Sequence, residues 1–166
     1  MKDDFISRIA ARVAAGPNVL KEGALGAPIG QVIAHLQHFL SAKYAINLSY
    51  LNFADRVKGP WRDSLVDHWH VHAKEELESA YQLSMKIVAL GGDPIQTTIN
   101  IPQCVASVEA FCKVLMDQEL DALEAGRKLM TLAGPNTGLK VLAENTVILD
   151  SEHLSDLHRM SSTIVI

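Results

Sequence analysis

In the stretch VILDSEHLSDL, residues 147 to 157, Asp150 and His153 stand three apart on the helical face that also carries Val147, Leu154 and Leu157. A carboxylate and an imidazole at that spacing can ligate one metal ion or share a proton, and burying them without compensation is costly. Three more ionisable residues interrupt apolar stripes in the same way. Lys43 falls within Val32, Leu36, Phe39, Ile46 and Tyr50; Glu76 falls within Leu65, Trp69, His72, Leu83 and Ile87; Glu119 falls within Val108, Cys112, Leu115 and Leu123. Asp150 and His153 do the same within Leu139, Ala143, Thr146 and Leu157. Three carboxylates and one ammonium at one level carry a formal charge of -2 if all are ionised, which a low-dielectric interior tolerates poorly. A divalent cation would neutralise the layer. A protonated carboxylate, trapped waters, or helices rotated to expose some of these groups are the other ways out.

The elements that must position these groups are helices. Breakers cluster at residues 16–18, 23–28, 58–60, 91–94 and 133–138, and between them the apolar period is helical. The pattern predicts four long helices over about 29–57, 62–91, 103–133 and 137–160, after a short amphipathic segment, Asp3 to Ala15, with Phe5, Ile6, Ile9 and Val13 on one side. Helices this long bury an apolar stripe only side by side, so the expected fold is an all-α four-helix bundle in a single domain over 1–166. The amino-terminal helix and loop take residues 1–28 and the bundle takes 29–160. Short loops make the first and second helices, and the third and fourth, antiparallel neighbours. The longer GGDPIQTTINIPQ segment could run the length of the bundle and set the third helix parallel to the second.

The 166 residues, 48% hydrophobic, suffice for one substantial core. A net charge of -4 argues against a nucleic-acid backbone as an obligatory partner. With no basic leader and no apolar run of membrane length, a cytoplasmic location without membrane contact is expected. Cys104 and Cys112, if on one helix, are about 12 Å apart along its axis, too far for a disulfide; two reduced thiols fit that compartment.

Residues 28–160 resemble the ferritin-like superfamily, most closely the bacterioferritins and archaeal starvation-protein-like chains, through SAKYAINLSY, KEELESAYQLSMKIVALGGDP, DQELDAL and LDSEHL. That resemblance implies a ferritin-like four-helix bundle with a long crossover between the second and third helices. It also implies a core centre of two metal ions, held by a Glu from each of two helices and a Glu-x-x-His pair from each of the other two. Carried over, the third-helix glutamate is Glu119, the fourth-helix pair is Asp150 and His153, and the second-helix glutamate is Glu76. The second-helix histidine position is Ser79. The first-helix glutamate position is Lys43, or Ala42 if the register shifts by one. The losses coincide on one metal position, whose terminal ligands are replaced by Lys43 and Ser79. The other keeps Glu119 and His153, with Glu76 and Asp150 at the bridging positions.

The expectation is therefore a single iron, manganese or zinc ion bound by Glu76, Glu119, Asp150 and His153, with the Lys43 ammonium in the vacated position, hydrogen-bonding Glu76 and Asp150. The alternative is a metal-free ion-pair layer centred on Lys43. The implied role is iron storage, detoxification or oxidative-stress protection by a homo-oligomer, with any ferroxidase activity of the site weakened or altered. The competing reading is a metal-free structural or interaction bundle without redox chemistry. Haem held as in bacterioferritins needs a methionine where this chain has Leu77, so no haem is expected. Starvation-protein relatives often bind DNA through a basic amino-terminal arm; Lys2, Arg8, Arg12 and Lys21 face Asp3, Asp4 and Glu22 here, so DNA is not an expected partner. In His68, His70 and His72 only the first and last share a helical face; His72 is expected to be hydrogen-bonded near the bundle end, with a place beside the metal or on its way in as the sharper option. His35 and His38 are expected at a subunit contact or in solvent, Met85, Met116 and Met130 in the core, and Cys112 as a buried structural thiol.

Overall fold

A computed structural model describes residues 25–60, 62–94, 99, 101 and 107–163. Among the described residues there are four helices: α1 Ile29–Arg56, α2 Arg62–Ala89, α3 Val108–Ala133 and α4 Thr137–Thr163. The amphipathic segment 3–15, its basic residues and Cys104 lie outside the described residues. No helix among the described residues is long and apolar enough to cross a membrane.

Helix ends follow local chemistry. Pro28 opens α1 and leaves its carbonyl to the amides of Gln31 and Val32. Gly91, at φ 82, closes α2 by letting the Gly92 amide return to the Ile87 carbonyl at 2.9 Å. Ser107 caps α3, its hydroxyl accepting the Ala110 amide at 3.1 Å. The expected start near 103 is thus corrected to Val108, because Ser107 is extended and cannot continue a helix backwards. Asn136 caps α4, its side-chain oxygen accepting from the Leu139 amide at 2.9 Å.

The topology follows from two contacts at one end of the bundle. The Gly26 amide donates to the Leu132 carbonyl at 3.0 Å, which ties the start of α1 to the end of α3. A Cβ on Gly134, at φ 55, would lie 2.3 Å from the Gly26 nitrogen, so this junction needs glycine. Gly92, just past α2, lies against the Ile33 side chain near the start of α1. Helices α2 and α3 therefore end at the same end of the bundle and run parallel.

Each stripe read from the sequence faces inward. Val32, Leu36, Phe39, Leu83, Ile87, Leu129, Leu139 and Ala143 are buried on one side of the polar layer. Phe53, Trp69, Phe111, Cys112 and Leu157 are buried on the other, with the Phe53 and Phe111 rings stacked at 4.4 Å. Met116 and Met130 pack against this core. Met85 is corrected from core to surface: it is 55% exposed. His35 is corrected in the other direction. It is buried, and its Nε2–H donates to the Ala125 carbonyl at 2.8 Å, reached because Ala122, Ala125 and Gly126 keep that face of α3 thin.

Candidate metal centre

The polar layer holds five fully or nearly fully buried ionisable groups from all four helices: Lys43 from α1, Glu76 from α2, Glu119 from α3, and Asp150 and His153 from α4. Lys43 Nζ hydrogen-bonds Glu76 Oε1 at 3.1 Å and also bonds Asp150 Oδ1. Glu76 Oε2, 2.8 Å from the same ammonium, is held by charge rather than by an aligned N–H. Burial works against the Lys43 charge, but Glu76, Asp150 and Glu119 outweigh it and raise its pKa, so the ammonium stays charged. The Phe39 ring lies 5.7 Å beneath it.

Glu76, Glu119 and His153 form a triad that shares Glu76 Oε1 with the Lys43 ammonium. Each offers a ligand atom, and these atoms lie within 4.8 Å of one another. His153 Nδ1 is 3.0 Å from Glu119 Oε1 and 3.2 Å from Glu76 Oε1. Its Nε2 is 3.0 Å from Glu75 Oε2. Both ring nitrogens face carboxylates, so without a metal the ring is an imidazolium. Burial opposes that charge, but hydrogen bonds to Glu119 and Glu76 lift its pKa to about 10. Glu75 is also the outer carboxylate that would orient the ring if Nδ1 held a metal.

The carboxylates differ. Burial would raise Glu76, but Lys43 and His153 overcome it and hold its pKa low. Burial and then the Glu76 charge raise Glu119. Burial lifts Asp150 to about 7 although Lys43 opposes it. Among the described residues, Glu119 Oε2 and Asp150 Oδ2 are buried without a hydrogen-bond partner. Two such oxygens beside an imidazole are what a bound cation would satisfy, so the donor set fits a metal ion of the oxygen-and-imidazole class. Asp150 is not within the triad's 4.8 Å grouping, and its Oδ1 is engaged by Lys43.

Three groups here are absent from the sequence-derived set. Tyr50, read only as part of an apolar stripe, donates its hydroxyl to Glu119 Oε1 at 2.9 Å. Burial and then Glu119 raise its pKa, so it stays a phenol. Glu75 orients His153, and Asp156 lies 3.6 Å from both His68 and His72. His72 is not merely satisfied near the bundle end: it is buried, stacks on His153 at 4.1 Å between ring centroids, and places Nδ1 3.2 Å from the Tyr50 hydroxyl. Burial, then the His153 charge and His68, lower its pKa to about 3. Ser79 lines a cleft of about 250 Å³ between α2 and α4 with Glu75, Leu142, Thr146 and Leu149. Cys112 is buried, which raises its thiol to about 11. Leu77 is half-exposed on the outer face of α2.

Comparison with known proteins bears on the fold that holds this layer. Residues 33–160 match the family described as the ferritin-like domain. A ferritin-like, diiron-carboxylate protein from Bacillus anthracis str. Ames superposes with a TM-score of 0.75 at 24% identity, covering 80% of this chain and 96% of that one. A dodecameric thioferritin, the bacterioferritin-related protein from Bacteroides fragilis, superposes with a TM-score of 0.72 at 19% identity, covering 84% of this chain and 93% of that one. No curated protein matches the sequence.

Proposed function

The chain belongs to the ferritin-like domain family, and from that premise we propose that it binds one divalent transition-metal ion, iron foremost, through Glu76, Glu119 and His153, with Asp150 beside them. The role is iron storage, detoxification or protection from oxidative stress in the cytoplasm. The observation that carries this reading is the pair of partnerless buried oxygens, Glu119 Oε2 and Asp150 Oδ2, next to a triad of ligand atoms within 4.8 Å. Lys43 occupies the second metal position of the resembled centre and leaves room in the charge balance for one ion.

That balance selects a divalent cation. Without metal, Lys43 and the His153 imidazolium offset two carboxylates, and the third is neutral if it keeps one proton, for which the raised Glu119 and Asp150 are suited. A divalent ion that displaces the His153 Nδ1 proton and the carboxylic proton leaves the layer neutral again; a trivalent ion leaves an excess positive charge. Binding of Mn²⁺ or Zn²⁺ to metal-free protein should therefore release about two protons per ion near pH 7, and affinity should rise with pH. Calorimetry in two buffers of different ionisation enthalpy measures the release, and Glu119→Gln should abolish it. The competing reading is a metal-free bundle, favoured by the closed Lys43–Glu76–Asp150 ion pairs. It predicts no bound ion in protein purified without added metal and no effect of chelator on unfolding.

Assembly into a homo-oligomer is part of the same proposal. On α2, Leu77, Tyr81, Met85 and Val88 form a stripe along one face, each about half-exposed. The Bacteroides fragilis neighbour is described as a dodecamer, and a second copy of this chain is the proposed cover for the stripe. Tyr81→Glu should lower the mass seen by light scattering by at least half; an unchanged mass would place the interface elsewhere.

A further inference from the structure

A second cluster of donors lies between the buried triad and the surface. His68 and His72 occupy positions i and i+4 of α2, and Asp156 on α4 reaches across to both. Their ligand atoms lie within 4.8 Å of one another. His68 Nε2 and His72 Nε2 are each 3.6 Å from Asp156 Oδ2, beyond hydrogen-bond reach. Two ligand atoms on one tetrahedral ion at about 2.0–2.1 Å are separated by about 3.3–3.4 Å. The observed spacing is therefore close to a coordination spacing and too wide for a direct bond.

Hydrogen-bond accounting fixes which way the His72 ring is prepared. The Tyr50 hydroxyl gives its only proton to Glu119 Oε1 at 2.9 Å, so towards His72 it can only accept. His72 Nδ1, 3.2 Å away, must then carry the hydrogen of that contact. With Nδ1 as the donor, Nε2 is the ring nitrogen left to act as a ligand, and it lies 3.6 Å from Asp156 Oδ2. A proton or a metal ion between the two would hold them together. His72 is only 4% exposed, so water is largely kept from its ring. Asp156 uses Oδ1 for Arg159, which leaves Oδ2 turned to the histidines. His68 is more than a third exposed, so the cluster opens to solvent on that side.

We propose that His68, His72 and Asp156 form an outer divalent transition-metal site, a two-histidine, one-carboxylate set with open positions on its solvent side. This set suits Zn²⁺, Co²⁺ or Fe²⁺ and disfavours Mg²⁺ and Ca²⁺, which want oxygen ligands throughout. Tyr50 is its outer-sphere support, fixing the tautomer of His72, and links it to Glu119 of the inner triad through two hydrogen bonds. The outer set uses no ligand of the inner triad and stands whether or not that triad loads metal.

Cobalt titration of the full chain, followed by visible absorption and equilibrium dialysis, tests the assignment. The parent chain should show a class of bound Co²⁺ that is lost from both His68→Gln and Asp156→Asn and kept in Glu119→Gln. His68 and Asp156 sit partly in solvent, so these variants should fold, with circular dichroism as the check. Equal Co²⁺ uptake by the parent, His68→Gln and Asp156→Asn chains would overturn the outer site while leaving the inner one untouched. As a readout independent of variants, Zn²⁺ added to the parent chain should shift the His68 and His72 Nε2 resonances in long-range nitrogen spectra, with His72 Nδ1 remaining protonated. Unshifted Nε2 resonances at saturating Zn²⁺ would also overturn it.

Discussion

Metal-free Lys43→Met protein is expected to be about 3–5 kcal/mol less stable than the parent at pH 8, because removing one member of a buried ion pair leaves the other charge unpaired. Lys43 is fully buried and bonded to both Glu76 and Asp150, so two carboxylates lose their partner at once. Methionine fills similar volume, which keeps a cavity term from dominating. The deficit should narrow as pH falls. Asp150 already has a folded pKa raised to about 7 against an ordinary value of 3.8, so the folded state holds more protons than the unfolded one between those values. Its contribution is thus greatest at low pH and lost as pH rises through about 7. Without the ammonium to oppose burial, Asp150 is neutral at pH 5, and as pH rises its ionisation sets it against the Glu76 charge with no cation between them. Urea unfolding at the two pH values measures this. A divalent ion at 100 times its Kd should return about 2.7 kcal/mol at pH 8. Midpoints equal to those of the parent at both pH values would mean that the buried ammonium contributes nothing to the fold.

The layer that Lys43 anchors was legible because helical period fixes which residues share a face, and because four helices of similar length put their midpoints at one level. Lys43, Glu76, Glu119, Asp150 and His153 each lie seven or fewer residues from large apolar neighbours on the same stripe, and all five are buried. What period cannot supply is the reach of a side chain between helices. Glu75 is about 100° around α2 from Glu76 and reads as a solvent group, yet His153 is long enough to meet both. Tyr50 carries an apolar body that suits a core stripe, and nothing in its spacing reveals that its hydroxyl ends on Glu119. Asp156 lies one turn beyond His153 and could have been paired with His68 and His72, but only once the relative height of α2 and α4 was known. The misplacement of His35 has a similar origin: the small residues of α3 that admit it lie about 90 positions away in the chain.

Lys43→Glu combined with Ser79→His is expected to raise the bound metal at the core from one ion per chain to two and to speed oxygen-dependent iron oxidation by about an order of magnitude or more, since a paired centre can pass two electrons where one ion passes one. The charge arithmetic permits it. Exchanging an ammonium for a carboxylate makes the layer more negative by two, which a second divalent ion cancels. The geometry permits it too: Lys43 Nζ already lies between Glu76 and Asp150, and Ser79, one helical turn after Glu76, lines a cleft of about 250 Å³ with room for a larger side chain. Each single change should fall short for a separate reason. Lys43→Glu alone gathers four carboxylates around too few cations and should unfold readily without metal, while Ser79→His alone brings a ligand to a position still filled by the ammonium. The double variant is therefore predicted to be more stable than Lys43→Glu when metal is present and less stable than the parent when it is absent. Metal content by mass spectrometry, unfolding with and without Mn²⁺, and iron oxidation followed by absorbance measure the three consequences. A folded double variant that binds no more metal than the parent would mean that Lys43 does not stand in a metal position, and the reading of the layer as a halved two-metal centre would fail with it.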